Sequence, residues 1–591
     1  MWLDHWVLVC LIPLAMWILL SGLDDLFIDL VFFLTGKQQF PWPSEAELAL
    51  APRRRIAILV PLWREDRVIG KMLDHNLSVI LYENYDVFVG VYPNDEPTIR
   101  AVWEASRRHA RVHVAICPQP GPTSKGDCLN SLYERMREFE RENDAHFDVI
   151  LTHDAEDLVH PESLRLIDHY ASDFQMVQIP VLPLPTGSLE CTHSLYCDEF
   201  AEYQIKDIPV RQRLGGFLPS NGVGTGFSRA VLESLAAGEQ GRVFDPDCLT
   251  EDYENGFRVH AHGYRQIFVP LRFVDSAPVA TREFFPARLR QAVRQRSRWV
   301  AGIALQGWER HGWRVPRKQL YWFWRDRKGL IGNLFSPVAN VLFVYWTVRF
   351  LWTGRSWEAG ASLPVWLLST FWATLVLSVF QMGVRAQCAA RVYGWRFAAA
   401  VPVRVLWGNL INCSATVAAL WQFASARLQR RAVTWRKTEH VYPRHGAVPQ
   451  ERPRLGEVLV RMRWLSMGEL HEALPHVPKG VRIGEYLVQL EKLSEDHLYK
   501  ALSSQNGIPF RGGVRQEISR QATRVLPAAV ARRCRVLPYR VTAGQLHVAT
   551  AEVPSEDMMR ELTELSPLEI RLRLVRPREF EDLAHEYLPQ S

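Results

Sequence analysis

Three carboxylates crowd the end of an apolar run in F-D-V-I-L-T-H-D-A-E-D, Phe147 to Asp157: Asp154, Glu156 and Asp157 follow Val149, Ile150 and Leu151. The run reads as a buried parallel strand. Acidic side chains packed at the carboxyl end of such a strand repel one another, so a cation belongs among them, and a divalent metal holding a phosphorylated ligand fits best. Taken alone, the acids would serve equally well to cap a helix starting near Pro161. Their company decides otherwise. Glu65 ends V-P-L-W-R-E, Asp95 ends Y-P-N-D, and Lys125 opens a helical stretch. A second acidic site, Thr250 to Asp252 in L-T-E-D-Y-E, follows the Gly-rich S-N-G-V-G-T-G-F, Ser220 to Phe227, whose glycines would let the backbone approach a bulky ligand. Arg288 to Trp299 ends in Q-R-S-R-W, where guanidinium and indole suit diphosphate and sugar. A basic amphipathic helix resting on lipid headgroups would read the same way, and both roles are compatible.

The elements that must position these groups alternate. Strands are predicted at Ile56–Pro61, Val87–Tyr92, Val112–Cys117, Val149–Thr152 and Met176–Pro180, with helical stretches such as Gly126–Arg141 between them. Such alternation indicates a mostly parallel α/β sheet with its ligand beyond the strand ends. The candidate residues fall at those ends.

The chain has 591 residues, room for several domains, and its apolar residues gather in blocks that a soluble domain would not need. Its formal charge of +6 comes from Lys and Arg beside those blocks, which points to membrane flanks and away from nucleic acid. The nine cysteines lack metal-type spacing; Cys191 and Cys197 form the one suggestive pair, and free thiols in a reducing cytosol are expected. Residues 1–35 read as an uncleaved membrane anchor with Asp4 before it and Lys37 and Arg53 to Arg55 after it, which puts the amino terminus outside. Leu330–Trp352 and Leu363–Met382 read as an out-and-back hairpin. A third block, Phe397–Ala424, contains Arg404, Asn409 and Asn412 and carries basic flanks on both sides. It is expected to be interfacial or re-entrant, with a further crossing as the alternative.

A linker at 439–453 leads to an internal repeat. R-L-G-E-V-L-V starts at Arg454 and R-I-G-E-Y-L-V at Arg482, each followed by a turn and a second helix begun by Ser466 or Ser494 with leucines on one face. Segments at Cys534–Val541, Gln545–Thr550 and Ile570–Val575 read as strands of a small α/β ending.

Taken in order, V-P-L-W-R-E, N-D, D-A-E-D, T-E-D and Q-R-S-R-W resemble the family 2 glycosyltransferases with membrane-embedded tails, the group of cellulose, chitin and hyaluronan synthases. With the hairpin and W-R-K-T-E-H at Trp435–His440, the resemblance spans about residues 1 to 445. It implies a GT-A, Rossmann-like catalytic domain over 50–300, interfacial helices and a transmembrane hairpin over 301–438, and a regulatory domain over 454–591. It further implies that Pro61, Glu65, Asp95 and Lys125 line a nucleotide pocket, that Asp154 meets the diphosphate through Mg²⁺ or Mn²⁺, and that Glu156 or Asp157 supplies the second carboxylate. Asp252 would be the general base; Gln295, Arg298 and Trp299 would border the acceptor and the leaving diphosphate.

The repeat resembles the amino-terminal domain of type II secretion and pilus ATPases, many of which bind cyclic di-GMP. The corresponding residues here are Arg454, Leu455, Gly456, Arg482, Ile483, Gly484 and Gln505. This chain departs from that pattern where a glycine is usual, at Arg463 and Glu491, and where Val477 replaces the first closing glutamine. The whole arrangement is similar to the bacterial phage-adsorption protein B family. That similarity implies an inner-membrane, multi-pass, inverting and processive polymerase with its catalytic and carboxyl-terminal domains in the cytoplasm. The implied partners are a nucleotide sugar, for which UDP-N-acetylhexosamine is the expectation, a growing glycan, the lipid bilayer and an outer-membrane export or receptor protein. The alternatives are a transferase that adds one sugar to a lipid carrier, and a non-enzymatic scaffold for phage entry.

Overall fold

The computed structural model describes residues 2–35, 42–187, 190–238, 241–274, 277–353, 365–429, 454–478, 480–506, 508–510, 514–542, 545–566 and 568–588. The linker at 439–453 and the Trp435–His440 segment lie outside the described residues.

Eight described strands follow one another between residues 56 and 268: β1 Ile56–Pro61, β2 Tyr85–Val91, β3 Val112–Ile116, β4 Val149–Thr152, β5 Met176–Gln178, β6 Val181–Pro183, β7 Thr225–Ser228 and β8 Gln266–Phe268. Seven of them build one sheet in the order β3-β2-β1-β4-β7-β5-β8. The first four run parallel, β7 runs antiparallel to both its neighbours, and β5 and β8 pair in parallel. Period-two alternation sends Ile56, Ile58 and Val60 to one face, against the helices Ile69–Val79, Glu96–Arg108 and Ser163–Tyr170. Ala57 and Leu59 go to the other, against Lys125–Asn143 and Arg229–Ala237. Both faces are covered, and β1, inside the sheet, is apolar end to end.

Strand β7 was hidden in the Gly-rich segment. Its Thr-Gly-Phe-Ser sequence has little strand propensity, but Gly226 lies against Ile167, where a Cβ would come within 2.7 Å of that side chain. The glycines of this segment thus serve close packing on the protein's own side chains.

Around the sheet lie long apolar helices. Trp2–Thr35 is continuous, and its acids clip it to the α/β domain and the helix after it: Asp29 receives Lys206 at 2.7 Å, and Asp24 receives Lys328 at 2.7 Å and pairs with Arg325. The two blocks expected to form the hairpin are helical, Gly329–Thr353 and Val365–Tyr393. The third block is the one expected to be interfacial or re-entrant. It forms one unbroken helix, Val401–Leu428, of 28 residues, roughly 42 Å long. Among the described residues it and Val365–Tyr393 are the two helices long and apolar enough to cross a membrane. Its polar residues are spent on neighbours rather than on lipid headgroups. Arg404 donates twice to the buried Asp198, at 2.6 and 2.8 Å, Asn412 accepts from Arg296 at 2.7 Å, and Asn409 bonds Asn340 at 3.0 Å.

The two motif copies form paired helices, Leu455–Arg461 with Met467–Ala473 and Ile483–Gln489 with Glu495–Asn506. Ser466 caps its helix by accepting from the Glu469 amide, and Ser494 does so from His497. Gly456 and Gly484 admit Leu470 and Leu498 respectively; a Cβ would come within 2.9 and 2.4 Å of those leucines. The strands Val536–Thr542, Gln545–Thr550 and Glu569–Leu574 complete the domain. It docks on the α/β domain through the first copy's turn and through Glu495–Asn506, which packs on Ile69–Val79. Leu81 enters the motif core, Trp464 donates to Glu83 at 3.0 Å, Arg463 donates to the Leu48 carbonyl, and Arg461 approaches Glu162 at 3.6 Å.

Candidate active site

Strands β1 and β4 lie side by side where the strand order reverses, the position at which open α/β sheets leave a crevice. A cavity of about 530 Å³ opens there, a size suited to a small ligand. Pro61 reaches it from the end of β1, Glu65 from the loop that follows, and Asp154 and Glu156 from the loop after β4. Lys125 enters from a helix start whose Ser124 side chain accepts from the Asp127 amide at 3.2 Å. Asp252 comes from the first turn of Glu251–Ala261, and Gln295, Arg298 and Trp299 from the end of Leu289–Trp299.

Two expected pocket residues stand off the cavity wall. Asp95 accepts the Arg64 amide at 2.5 Å; with Arg64 at φ 56°, it braces the loop that presents Glu65. Asp157 is fully buried and accepts the Asp154 amide at 2.9 Å while bonding His153 Nδ1 at 2.7 Å. It shapes the acidic loop from beneath, which leaves Asp154 and Glu156 as the loop's cavity-lining carboxylates.

The electrostatics are compensated from the centre. Lys125 Nζ lies 2.7 Å from Asp154 Oδ1. Burial would lower the Lys125 pKa, but the carboxylates of Asp154, Glu251 and Asp252 outweigh it and hold the ammonium above the usual lysine range. Burial raises Asp252, against the pull of Lys125, the Tyr253 amide and Arg298. Burial and the neighbouring Asp252 push Glu251 up to about 7. Gly222, at φ +76°, is pressed onto Asp252; a Cβ there would come within 2.7 Å of Oδ2. The Gly-rich segment therefore packs over the candidate base, where a larger residue would displace it.

The far wall is aromatic. Trp299 lies 6.1 to 6.5 Å from Tyr196, Phe200 and Phe285, ring centre to ring centre. Gln295 Oε1 and Arg298 Nε are buried with no hydrogen-bond partner among the described residues. Beyond Trp299 the helix widens into a π-helical stretch, Val300–Gln306, whose Gly302 lies on Thr250 and so locks Q-R-S-R-W against T-E-D. A second π-helical turn, Tyr203–Asp207, brings Tyr203 and Asp207 to the cavity. These two, with Phe285 and Arg385, were not foreseen. Arg385 showed in the sequence only as a flank charge, and nothing in the spacing of the others marks them.

A family model described as glycosyltransferase like family 2 matches residues 52–302, and an MshEN domain model matches residues 506–591. Bacteriophage adsorption protein B of Escherichia coli (strain K12) is 35% identical over 573 residues, which cover 92% of this chain and 77% of that protein. The chain belongs to the bacteriophage adsorption protein B family. Residues 52–302 of this family member are its glycosyltransferase family 2 domain, and the cavity is that domain's crevice. Among solved structures, the mannosyltransferase PcManGT from Pyrobaculum calidifontis in complex with GDP-Man and Mn²⁺ is 16% identical. It covers 67% of this chain and 99% of its own, with a TM-score of 0.41. MshE with cdg is 27% identical, covers 23% of this chain and 99% of its own, and has a TM-score of 0.22.

Proposed function

We propose that the protein is an inverting, processive glycosyltransferase that extends a glycan from a UDP-linked N-acetylhexosamine at the bacterial inner membrane. Its catalytic and carboxyl-terminal domains face the cytosol, and cyclic di-GMP held by the tandem-motif domain controls its activity. The observation that carries the reading is the convergence of Asp154, Glu156, Lys125, Asp252 and Arg298 on one cavity. That cavity's aromatic wall reaches Arg385 of an apolar helix.

Asp252 is the base. An acceptor hydroxyl has a pKa far above 7, and a carboxylate whose own pKa is raised by burial takes its proton more readily during attack on the anomeric carbon. Attack opposite to the departing diphosphate inverts that carbon. Lys125 holds Asp154 in place, and Arg298 offers a buried donor toward the leaving oxygens. Trp299 and Phe285 supply flat apolar faces for a sugar ring. Among the described residues no cluster of three His, Cys, Asp or Glu side chains is arranged to hold a metal. Two hard carboxylates, Asp154 and Glu156, nevertheless line the cavity, a donor set that suits Mg²⁺ or Mn²⁺ shared with substrate phosphates. When bound, such a cation would neutralise charge on the departing diphosphate. The relatives' association with phage adsorption supports an outer-membrane partner that exposes the product.

Full-length protein in lipid nanodiscs, given a panel of radiolabelled UDP-sugars with Mg²⁺ or Mn²⁺, tests the reading. A ladder of products stimulated by cyclic di-GMP is expected, and Asp252→Asn should abolish it. A single labelled glycolipid would replace polymerisation with one-step transfer. Neither transfer nor sugar-nucleotide hydrolysis with any donor would leave the scaffold.

A further inference from the structure

A second cavity, of about 250 Å³, lies between the catalytic domain and the membrane-side helices. Among the described residues Arg213, Arg272 and Arg391 line it, and no Asp or Glu does. Among the described residues none of the three has a carboxylate within ion-pair reach. Arg213 donates to Thr35, the last residue of the amino-terminal apolar helix, and Arg391 sits in the last turn of Val365–Tyr393. Arg272 stacks over Trp42 at 5.5 Å. Three guanidinium groups lining one small cavity present donors in the geometry that suits an anion. A further observation points the same way. Gln204 is fully buried and lines this cavity, yet its amide nitrogen donates to nothing among the described residues. A phosphate oxygen would take that hydrogen bond.

The rest of the lining says which phosphate. Ile205, Pro209, Phe268, Pro270, Leu271 and Phe273 are apolar. Immediately beside the Thr35 end, Phe33 is 48% and Leu34 82% exposed, so apolar surface runs to within a turn of the cavity. Cations above an exposed apolar surface, next to two apolar helix ends, match a headgroup with its acyl chains below it. We propose that this cavity binds the phosphate of an anionic phospholipid, with Gln204 and the three arginines on the phosphate and the chains along Trp2–Thr35 and Val365–Tyr393. Gln204 and Ile205 belong to the same π-helical turn whose Tyr203 and Asp207 line the catalytic cavity. A lipid seated behind that turn braces it from the side opposite the substrate.

The test is lipid retention by the full-length protein. Wild-type protein reconstituted with phosphatidylcholine and phosphatidylglycerol, then extracted in neutral detergent, should keep phosphatidylglycerol by native mass spectrometry. Arg272→Ala with Arg391→Ala should retain it roughly thirtyfold less, as expected for two lost cation–phosphate pairs. Gln204→Leu, which leaves all three charges, should also lose it, whereas Arg396→Ala, in the same basic flank outside the cavity, should not. Equal retention by wild type and the double variant overturns the site. Displacement of the lipid by millimolar inorganic phosphate, with the same gain in melting temperature, assigns the cavity to a soluble phosphate and overturns the lipid. The inference rests on the membrane-spanning reading of the two helices. Membrane fractionation of wild type checks that reading separately, because it does not depend on the arginines.

Discussion

In the catalytic cleft, Asp154, Lys125, Glu251 and Asp252 are drawn together beneath the strand ends, so each ionisation depends on its neighbours. Where the tandem-motif domain meets the catalytic domain, the contacts are separate from one another: Leu81 in an apolar socket, Trp464 on Glu83, Arg463 on a carbonyl, Arg461 near Glu162 and Glu495–Asn506 against Ile69–Val79. A dense, mutually dependent cluster loses its function with any member. A seam of independent contacts can be weakened by degrees, which is what a regulatory junction needs. Within the seam domain the two motif copies repeat the contrast. Arg463 and Glu491 occupy the same left-handed position, φ 58° and 55°, but Arg463 reaches the catalytic domain while Glu491 is exposed.

The sharpest break of the comparison is in the cleft. Asp252→Asn should lower turnover by about 10³-fold or more while leaving donor binding within a few-fold, the range for loss of a positioned general base. Isothermal titration with UDP alongside the transfer assay separates the two; retained turnover would remove Asp252 from the chemistry. Lys125→Met should cost about 10²-fold, as for loss of one preorganised charge. It should also weaken metal-dependent donor binding, because Asp154 loses its 2.7 Å partner. A loss no larger than that of a seam variant would mean the cleft is not the interdependent cluster described above.

A pH scan sharpens the contrast without touching the active geometry. Glu251 rises from 4.5 to about 7 in the folded protein. The folded state therefore binds a proton that the unfolded chain has released between those values. The resulting stability is fully present below pH 4.5 and is lost as pH rises through 7, at about 1.4 kcal/mol per pH unit inside the window at most. The melting temperature in detergent should fall between pH 5 and pH 8, and Glu251→Gln should flatten that fall. A pH dependence unchanged in Glu251→Gln would assign the fall to other groups.

What could be read from the chain depended on where each signal lay. Strands β1 and β4 were predicted with their observed ends because both faces of a covered parallel sheet need unbroken apolar runs. The loop that carries each candidate residue was equally legible, but a loop does not declare which way a side chain turns. Asp95 and Asp157 are the expected residue types in the expected loops, and both serve the backbone beneath the site. Strand β7 was missed because its pairing with β4 and β5 overrides a Gly-containing sequence. The block Phe397–Ala424 was read as interfacial because basic residues flank it on both sides; the partners of its Arg404, Asn409 and Asn412, namely Asp198, Asn340 and Arg296, show only in three dimensions.

The smallest expected effect is the most discriminating test of the seam. A non-glycine residue at φ near +57° carries roughly 1 kcal/mol of strain, so glycine should relieve it in either motif copy. Glu491→Gly removes only that strain, together with an exposed side chain. It should raise the melting temperature by a degree or two and leave the response to cyclic di-GMP unchanged. Arg463→Gly removes the same strain and also the donor to the Leu48 carbonyl. Its domain should be equally stable, but the stimulation of transfer by cyclic di-GMP should shrink several-fold, since a ligand moves the catalytic domain only through contacts that differ between its two states. Identical stimulation in the two variants would mean that the coupling does not run through Arg463.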